Sequence, residues 1–163
     1  LIAAQKQGLA ALAYLDGEWR GAAWYRDQTG KRYDMIHTER VGQMLDGAIK
    51  VIEGRSYGGG DFDPFNAFAI ISFDGSRKAY GMRSYAMGRV GDFPLTLTED
   101  GFTWTIPAGP KAVIRYTAVI KNGEWRETGD YVAEGQNAVP FFEMTLKRLG
   151  PSSWPDAGAV GPQ

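Results

Sequence analysis

Cysteine is absent from the 163 residues, which removes disulfide frameworks, thiolate metal sites and cysteine nucleophiles. Histidine occurs once, at His37, so a three-histidine zinc site cannot be built within one chain. No apolar run reaches the roughly 18 residues that a bilayer-spanning helix requires. A basic excess is missing too, since 18 Lys and Arg face 19 Asp and Glu, for a net charge of -1. Trp24, Tyr25, Tyr33 and Tyr57 are interleaved with Arg20, Arg26, Arg32 and Arg55. Without surplus positive charge, however, the term that dominates nucleic-acid binding is lacking, and no nucleic-acid partner is expected. What is present is a hydrophobic fraction of 44%, enough to exclude intrinsic disorder and to fill one domain of this length. The start at Leu1 rather than Met has two readings, a trimmed chain or a removed leader, the second being that of a mature exported protein, periplasmic or secreted.

Gln5 to Leu15 is rich in Ala and Leu, with Leu9, Leu12 and Leu15 at helical spacing and Gly17 as a stop signal, which predicts a short capping helix over 5–15. From Glu18 onward the pattern becomes short runs of Val, Ile, Tyr, Phe, Trp and Thr between turn dipeptides such as Asp46-Gly47, Asp74-Gly75, Asp100-Gly101 and Asn122-Gly123. These pairs favour the positive φ angles of hairpin turns. The predicted strands are 18–26, 31–45, 48–57, 65–73, 77–87, 92–99, 101–107, 111–121, 124–133 and 138–149. Ten short antiparallel strands must dispose of their edges, and closing into an all-β, up-and-down antiparallel barrel over 18–149 does so. A sandwich is the alternative. One domain is expected over 1–149, followed by an irregular Pro- and Gly-rich tail, 150–163, with Trp154 as an anchor.

Closure places Trp19, at the mouth of the first strand, near Arg148 on the last, where the guanidinium could stack on the indole. The indole N–H also needs a hydrogen-bond partner when buried.

The start Gly17-x-Trp19, the strand meander, Gly123-Glu124-Trp125-Arg126-Glu127 and the closing Phe141-Phe142-Glu143-Met144-Thr145-Leu146-Lys147-Arg148-Leu149 resemble the lipocalin-like members of the calycin superfamily. The resemblance is especially to the bacterial family known as domain of unknown function 1579, across roughly residues 8–149. It implies a barrel with an interior cavity for a small apolar ligand. Gly17-Glu18-Trp19-Arg20-Gly21 is also similar to the opening of the nitrobindins, ten-stranded barrels that bind haem through a histidine on a strand near the C-terminus. The only histidine here is on the second strand, and no cofactor is expected.

Period-two alternation sets out the candidates for ligand contact. Tyr33, Met35, His37 and Glu39 share one face of the second strand, where an imidazole beside a carboxylate could act as a general base or an axial metal ligand, or sit as a rim or surface residue paired with Glu39. Arg83 and Tyr85 share a face of the fifth strand and together could clamp a carboxylate, with Arg115 on the eighth strand as a second cation. The opposite orientation would turn Tyr80, Met82 and Ser84 inward. Glu127 and Tyr131 share a face with Trp125, and Glu53, Arg55 and Tyr57 share one on the third strand. The cavity wall is expected from Trp19, Tyr33, Met35, Ile71, Phe73, Tyr85, Trp104, Tyr131, Phe142 and Met144.

Gly58-Gly59-Gly60 is not a phosphate loop, since no Gly-Lys-Ser/Thr and no following helix accompany it. It reads as a loop over a barrel end with Phe62 and Phe65 as a lid, and Asp61 and Asp63 are too few for calcium. The expected function is non-catalytic binding of a small, largely apolar molecule, with a carboxylate head held by Arg83 or Arg115. The alternative is a small-molecule enzyme, an isomerase or lyase, using His37, Glu39, Arg83, Tyr85 or Glu127. A third class is a structural module whose barrel is filled by its own side chains.

Overall fold

A computed structural model of the chain describes residues 1–60, 64–155 and 160–162. After α1 (Ile2–Ala10) and a 3-10 turn (Ala13–Leu15) come β1 (Gly17–Arg26), β2 (Arg32–Met44), β3 (Ile49–Tyr57), β4 (Asn66–Asp74) and β5 (Ala79–Ala86). The chain continues through β6 (Arg89–Thr98), β7 (Gly101–Pro107), β8 (Ala112–Lys121), β9 (Glu124–Ala133) and β10 (Val139–Gly150). Each strand pairs antiparallel with its sequence neighbours, and β1 also pairs with β10, so the ten strands close into a barrel with no free edge. The sandwich is thereby excluded.

Closure brings Trp19 opposite Arg148 in register. The expected stacking is replaced by a different bond, for Arg148 donates from Nε and Nη2 to the Asp16 carbonyl at 3.3 and 3.1 Å. Trp19 is 2% exposed, donates its indole N–H to the Leu15 carbonyl at 2.9 Å and meets Trp125 edge-on, with ring centroids 5.7 Å apart.

The expected helix over 5–15 is in fact α1 followed by the 3-10 turn. Leu9, Leu12 and Leu15 all enter the barrel end and are 4%, 0% and 0% exposed. A continuous α-helix would rotate Leu15 away from Leu9, whereas a 3-10 turn eclipses positions three apart and keeps Leu12 and Leu15 aimed the same way. The cap is fastened from the barrel: Tyr80 donates its hydroxyl proton to the Gly8 carbonyl at 2.8 Å.

The hairpin between β5 and β6 is tighter than the expected Gly88–Gly91 connector. Met87 and Gly88 have φ of 52° and 73°, the paired positive angles of a type I′ turn, so β6 begins at Arg89 rather than at 92. Asn122 and Gly123 repeat that geometry, with φ of 53° and 73°. The tail is anchored as expected: Trp154 lies under the Arg40 guanidinium at 4.3 Å and edge-on to Phe68 at 6.3 Å, on the outer face of β2 to β4. The lid residue Phe62 and the pair Asp61 and Asp63 lie outside the described residues.

At the capped end Lys50 is fully buried, and its ammonium is paired with the Asp16 carboxylate, whose second oxygen accepts from Gln43 Nε2 at 2.8 Å. Removing the carboxylate leaves a buried cation uncompensated. Asp16→Ala is therefore expected to cost about 2–3 kcal/mol, below the range for a wholly buried pair because Asp16 keeps 30% side-chain exposure. Urea unfolding measures the loss, and Lys50→Met in the same background should recover most of it.

Candidate functional site

The pairing registers settle which side chains share the barrel interior. Trp19, Gly21, Ala23 and Tyr25 of β1 lie in rows with Glu39, His37, Met35 and Tyr33 of β2, and with Arg148, Leu146, Met144 and Phe142 of β10. The inner row continues through Gly54 and Ser56 of β3, Ala69 and Ile71 of β4, and Met82 and Ser84 of β5. It then passes Phe93 of β6, Trp104 of β7, Tyr116 of β8 and Glu127 of β9.

Burial divides this interior into two halves. Against the cap, Leu12, Leu15, Trp19, Val41, Ile71, Leu95, Phe102, Trp125 and Leu146 form a closed core. Toward the other end, inward-facing Tyr25, Tyr33, Ala69, Ser84, Phe93, Trp104, Tyr116 and Phe142 are only half-buried, and Tyr131 is exposed. The inward side chains toward this end thus keep part of their surface in contact with solvent, unlike those against the cap. The wall of this half is aromatic: Trp104 stacks on Tyr116 at 4.3 Å and 12°, and Phe93 and Phe142 pack against that pair.

Where the two halves meet sits a polar cluster. His37, 1% exposed, contacts Ser56 Oγ through Nδ1 at 2.7 Å and Glu39 Oε1 through Nε2 at 2.8 Å. An ionised carboxylate only accepts, so Nε2 carries the proton toward Glu39, and in the neutral ring the Ser56 hydroxyl donates to Nδ1. The Glu39 carboxylate lies over Gly54, where a Cβ would come within 2.7 Å of Oε1, so the glycine makes room for it. Its other oxygen, Oε2, is buried without a hydrogen-bond partner.

Glu127 is buried and accepts from two indoles, Trp125 Nε1 at 3.1 Å and Trp104 Nε1 at 3.3 Å. Burial, and secondly the negative charge of Glu39, push its carboxyl up to about 7, against the pull of the indole N–H groups and of His37. Burial, followed by the charge on Glu127, also holds the Tyr116 phenol above its ordinary range.

The structure thus brings Tyr33, Met35, His37, Glu39, Trp104, Glu127, Tyr131, Phe142 and Met144 to the inner face. It separates Arg83, Tyr85 and Arg115 from them, which corrects their placement in the cavity. Arg83 donates to the Tyr85 hydroxyl at 3.0 Å and to Asp92 Oδ2 at 2.6 Å on the outer face, because the inward positions of β5 are taken by Tyr80, Met82 and Ser84. Arg115 is likewise outside, 3.8 Å from Asp130, while its neighbours Ile114 and Tyr116 turn inward. Ser56, Gly54, Phe93 and Tyr116 went unnoticed in the sequence. For Ser56 the signal was its alternation with Gly54 and Ile52, one residue out of step with the charged outer row Glu53, Arg55 and Tyr57.

A depression of about 400 Å³ lies on the outer face of β1 to β3 beside Arg20, Arg40, Glu53 and Arg55. Glu53 there is clamped by Arg40 at 2.8 Å and Arg55 at 2.5 Å, which hold its carboxyl below the usual range, while Arg40 Nε is buried without a hydrogen-bond partner of its own. Haem, which the nitrobindin resemblance implies, does not fit: both ring nitrogens of His37 are engaged, by Ser56 and Glu39, and neither is left to face an iron. Among the described residues, no group of three or more His, Asp or Glu side chains is placed to hold a metal, and no helix is long and apolar enough to cross a membrane.

No protein-family model and no curated protein matches the chain. Among solved structures, the chain is similar to that titled "Crystal Structure of Rv2717c from M. tuberculosis", at 13% identity and a TM-score of 0.63, covering 86% of this chain and 96% of that one. At that identity the likeness extends to the fold alone: a closed ten-stranded antiparallel barrel, consistent with a lipocalin or calycin-like architecture.

Proposed function

We propose that this chain is a calycin-like binding protein of the domain-of-unknown-function-1579 type that holds a small, largely apolar molecule in the open half of its barrel without transforming it. The observation that carries the reading is the aromatic inner wall of Phe93, Trp104, Tyr116 and Phe142, which stays half-buried while the capped half beneath it is closed. Apolar surface facing a solvent-reachable hollow gains free energy when a ligand covers it, by roughly 25 cal/mol for each Å² removed from water. The barrel's wall is continuous, and its floor is polar enough to orient a head group.

The test is binding of a neutral apolar fluorophore, N-phenyl-1-naphthylamine, followed by its emission and by quenching of tryptophan fluorescence. Saturable binding is expected, with at least a tenfold loss in Ser84→Leu, which fills the hollow, and no change in Arg83→Ala or Arg115→Ala, which lie outside. Absence of saturable binding, or equal binding by Ser84→Leu, removes the reading and leaves a barrel filled by its own side chains.

A second reading is favoured by the meeting of His37, Glu39 and Glu127, which supplies a proton acceptor and a carboxyl able to donate near neutrality, as an isomerase or lyase needs. It predicts that a ligand recovered from the protein by mass spectrometry changes mass or chirality on incubation, and that Glu127→Gln stops the change.

A further inference from the structure

Resting on the binding reading, we infer that the hollow selects a ligand with a cationic amine head, seated between Glu39 and Glu127 and beside the Trp104 ring. The first observation is the orphaned oxygen. Glu39 Oε1 is taken by His37, but Oε2 is buried with nothing to accept from, on a side chain only 11% exposed. A buried acceptor left unmade costs about 1–3 kcal/mol, so the site is short of one donor. The second observation is the distribution of charge. Among the described residues, the positive side chains of the inner face lie at its two ends. Lys50 and Arg148 are bonded to Asp16 at the capped end, and Arg89, opposite Ala86, stands at the rim. In the middle, burial first and the negative charge of Glu39 second raise the proton affinity of Glu127, and among the described residues only the His37 imidazole and two indole N–H groups pull the other way. The third is the wall itself: Trp104 both donates to Glu127 and stacks on Tyr116, so an ammonium hydrogen-bonded to the carboxylates would lie next to aromatic rings that attract cations.

This reverses the expectation of a carboxylate head. The arginines proposed to clamp an acid are outside the barrel, and an acid placed on the floor would meet Glu39 and Glu127. A primary amine instead has three donors, matching the vacant Glu39 oxygen and the two oxygens of Glu127, each of which has only an indole N–H for partner.

The experiment is calorimetric titration of the full chain with three ligands that share one apolar body: 2-phenylethylamine, 2-phenylethanol and phenylacetate. The amine is expected to bind at least tenfold more tightly than the alcohol, with phenylacetate weakest. Glu39→Gln is expected to bring the amine down to the affinity that the alcohol shows for the same variant. Equal affinities, or a preference for phenylacetate, would overturn the inference while leaving the binding reading intact. An unchanged amine preference in both Glu39→Gln and Glu127→Gln would overturn it too. If the naphthylamine probe and all three ligands fail to bind, both fall together. Circular dichroism of Glu39→Gln separates a lost head-group contact from a lost fold.

Discussion

Replacing Trp19 by alanine is expected to destabilise the barrel by about 3–5 kcal/mol, the cost of emptying a large buried aromatic site that cannot collapse. The site is closed from several directions at once. The indole is 2% exposed, meets Trp125 edge-on at 5.7 Å and stands in register with Arg148 of β10 and Glu39 of β2. Its N–H is the partner of the Leu15 carbonyl, so the same substitution leaves a buried acceptor unmade at the point where the cap turns into β1. Leu12 and Leu15, both 0% exposed, belong to the same buried core cluster as this ring, and the 3-10 turn is bonded to it through the Leu15 carbonyl. Urea unfolding should show a lower midpoint at an unchanged slope. Trp19→Phe should recover most of the packing but not the hydrogen bond. Because the ring belongs to the closed half, binding in the open half should change less than twofold in the folded variant. A loss below about 1 kcal/mol would mean that the cap is not seated on this ring.

The barrel was legible because its signals are local and repeated. Alternation, turn dipeptides and the absence of any helical window after Glu18 lead to ten strands, and an edge problem on that scale has closure as its solution. Boundaries failed where non-glycine residues take positive φ, as Met87 does at 52°, since sequence rules expect glycine there. The site was half legible. On β2 the pattern Tyr33, Met35, His37, Glu39 places the imidazole and carboxylate together on either face, so their pairing was readable while their inward direction was not. On β5 both faces are mixed: Arg83 and Tyr85 on one, Met82 and Ser84 on the other, and only pairing with the neighbouring strands decides. Across the barrel, sequence rules are silent. Glu127 meets Trp104, 23 residues away, by a contact set by the curvature of the whole sheet. The empty acceptor on Glu39 is likewise visible only when every neighbour is in place.

Glu127 is expected to make the protein less stable as the pH rises from about 5 to 8. Its carboxyl titrates near 4.5 in the unfolded chain and at about 7 in the barrel. Between those values the folded state binds more protons than the unfolded one, so stability falls with increasing pH, and the contribution present below the lower value is gone above the upper one. A gap of this size corresponds to roughly 3 kcal/mol, as an order of magnitude. Other carboxylates do not mask it. Asp27, Asp74 and Glu53 are shifted downward by their hydrogen bonds, so their contributions are lost only in more acidic solution. Glu127→Gln keeps an oxygen for one indole N–H and cannot ionise. It should cost about 1 kcal/mol at pH 5, where the wild-type carboxyl is neutral, and be the more stable of the two at pH 8. Urea titrations of both proteins at the two values check this, and parallel pH dependence would remove Glu127 as the source. The same equilibrium links stability to the amine head: a cation held between Glu39 and Glu127 lets Glu127 ionise without penalty. Saturating 2-phenylethylamine should therefore stabilise the wild type more at pH 8 than at pH 5, and stabilise Glu127→Gln equally at both.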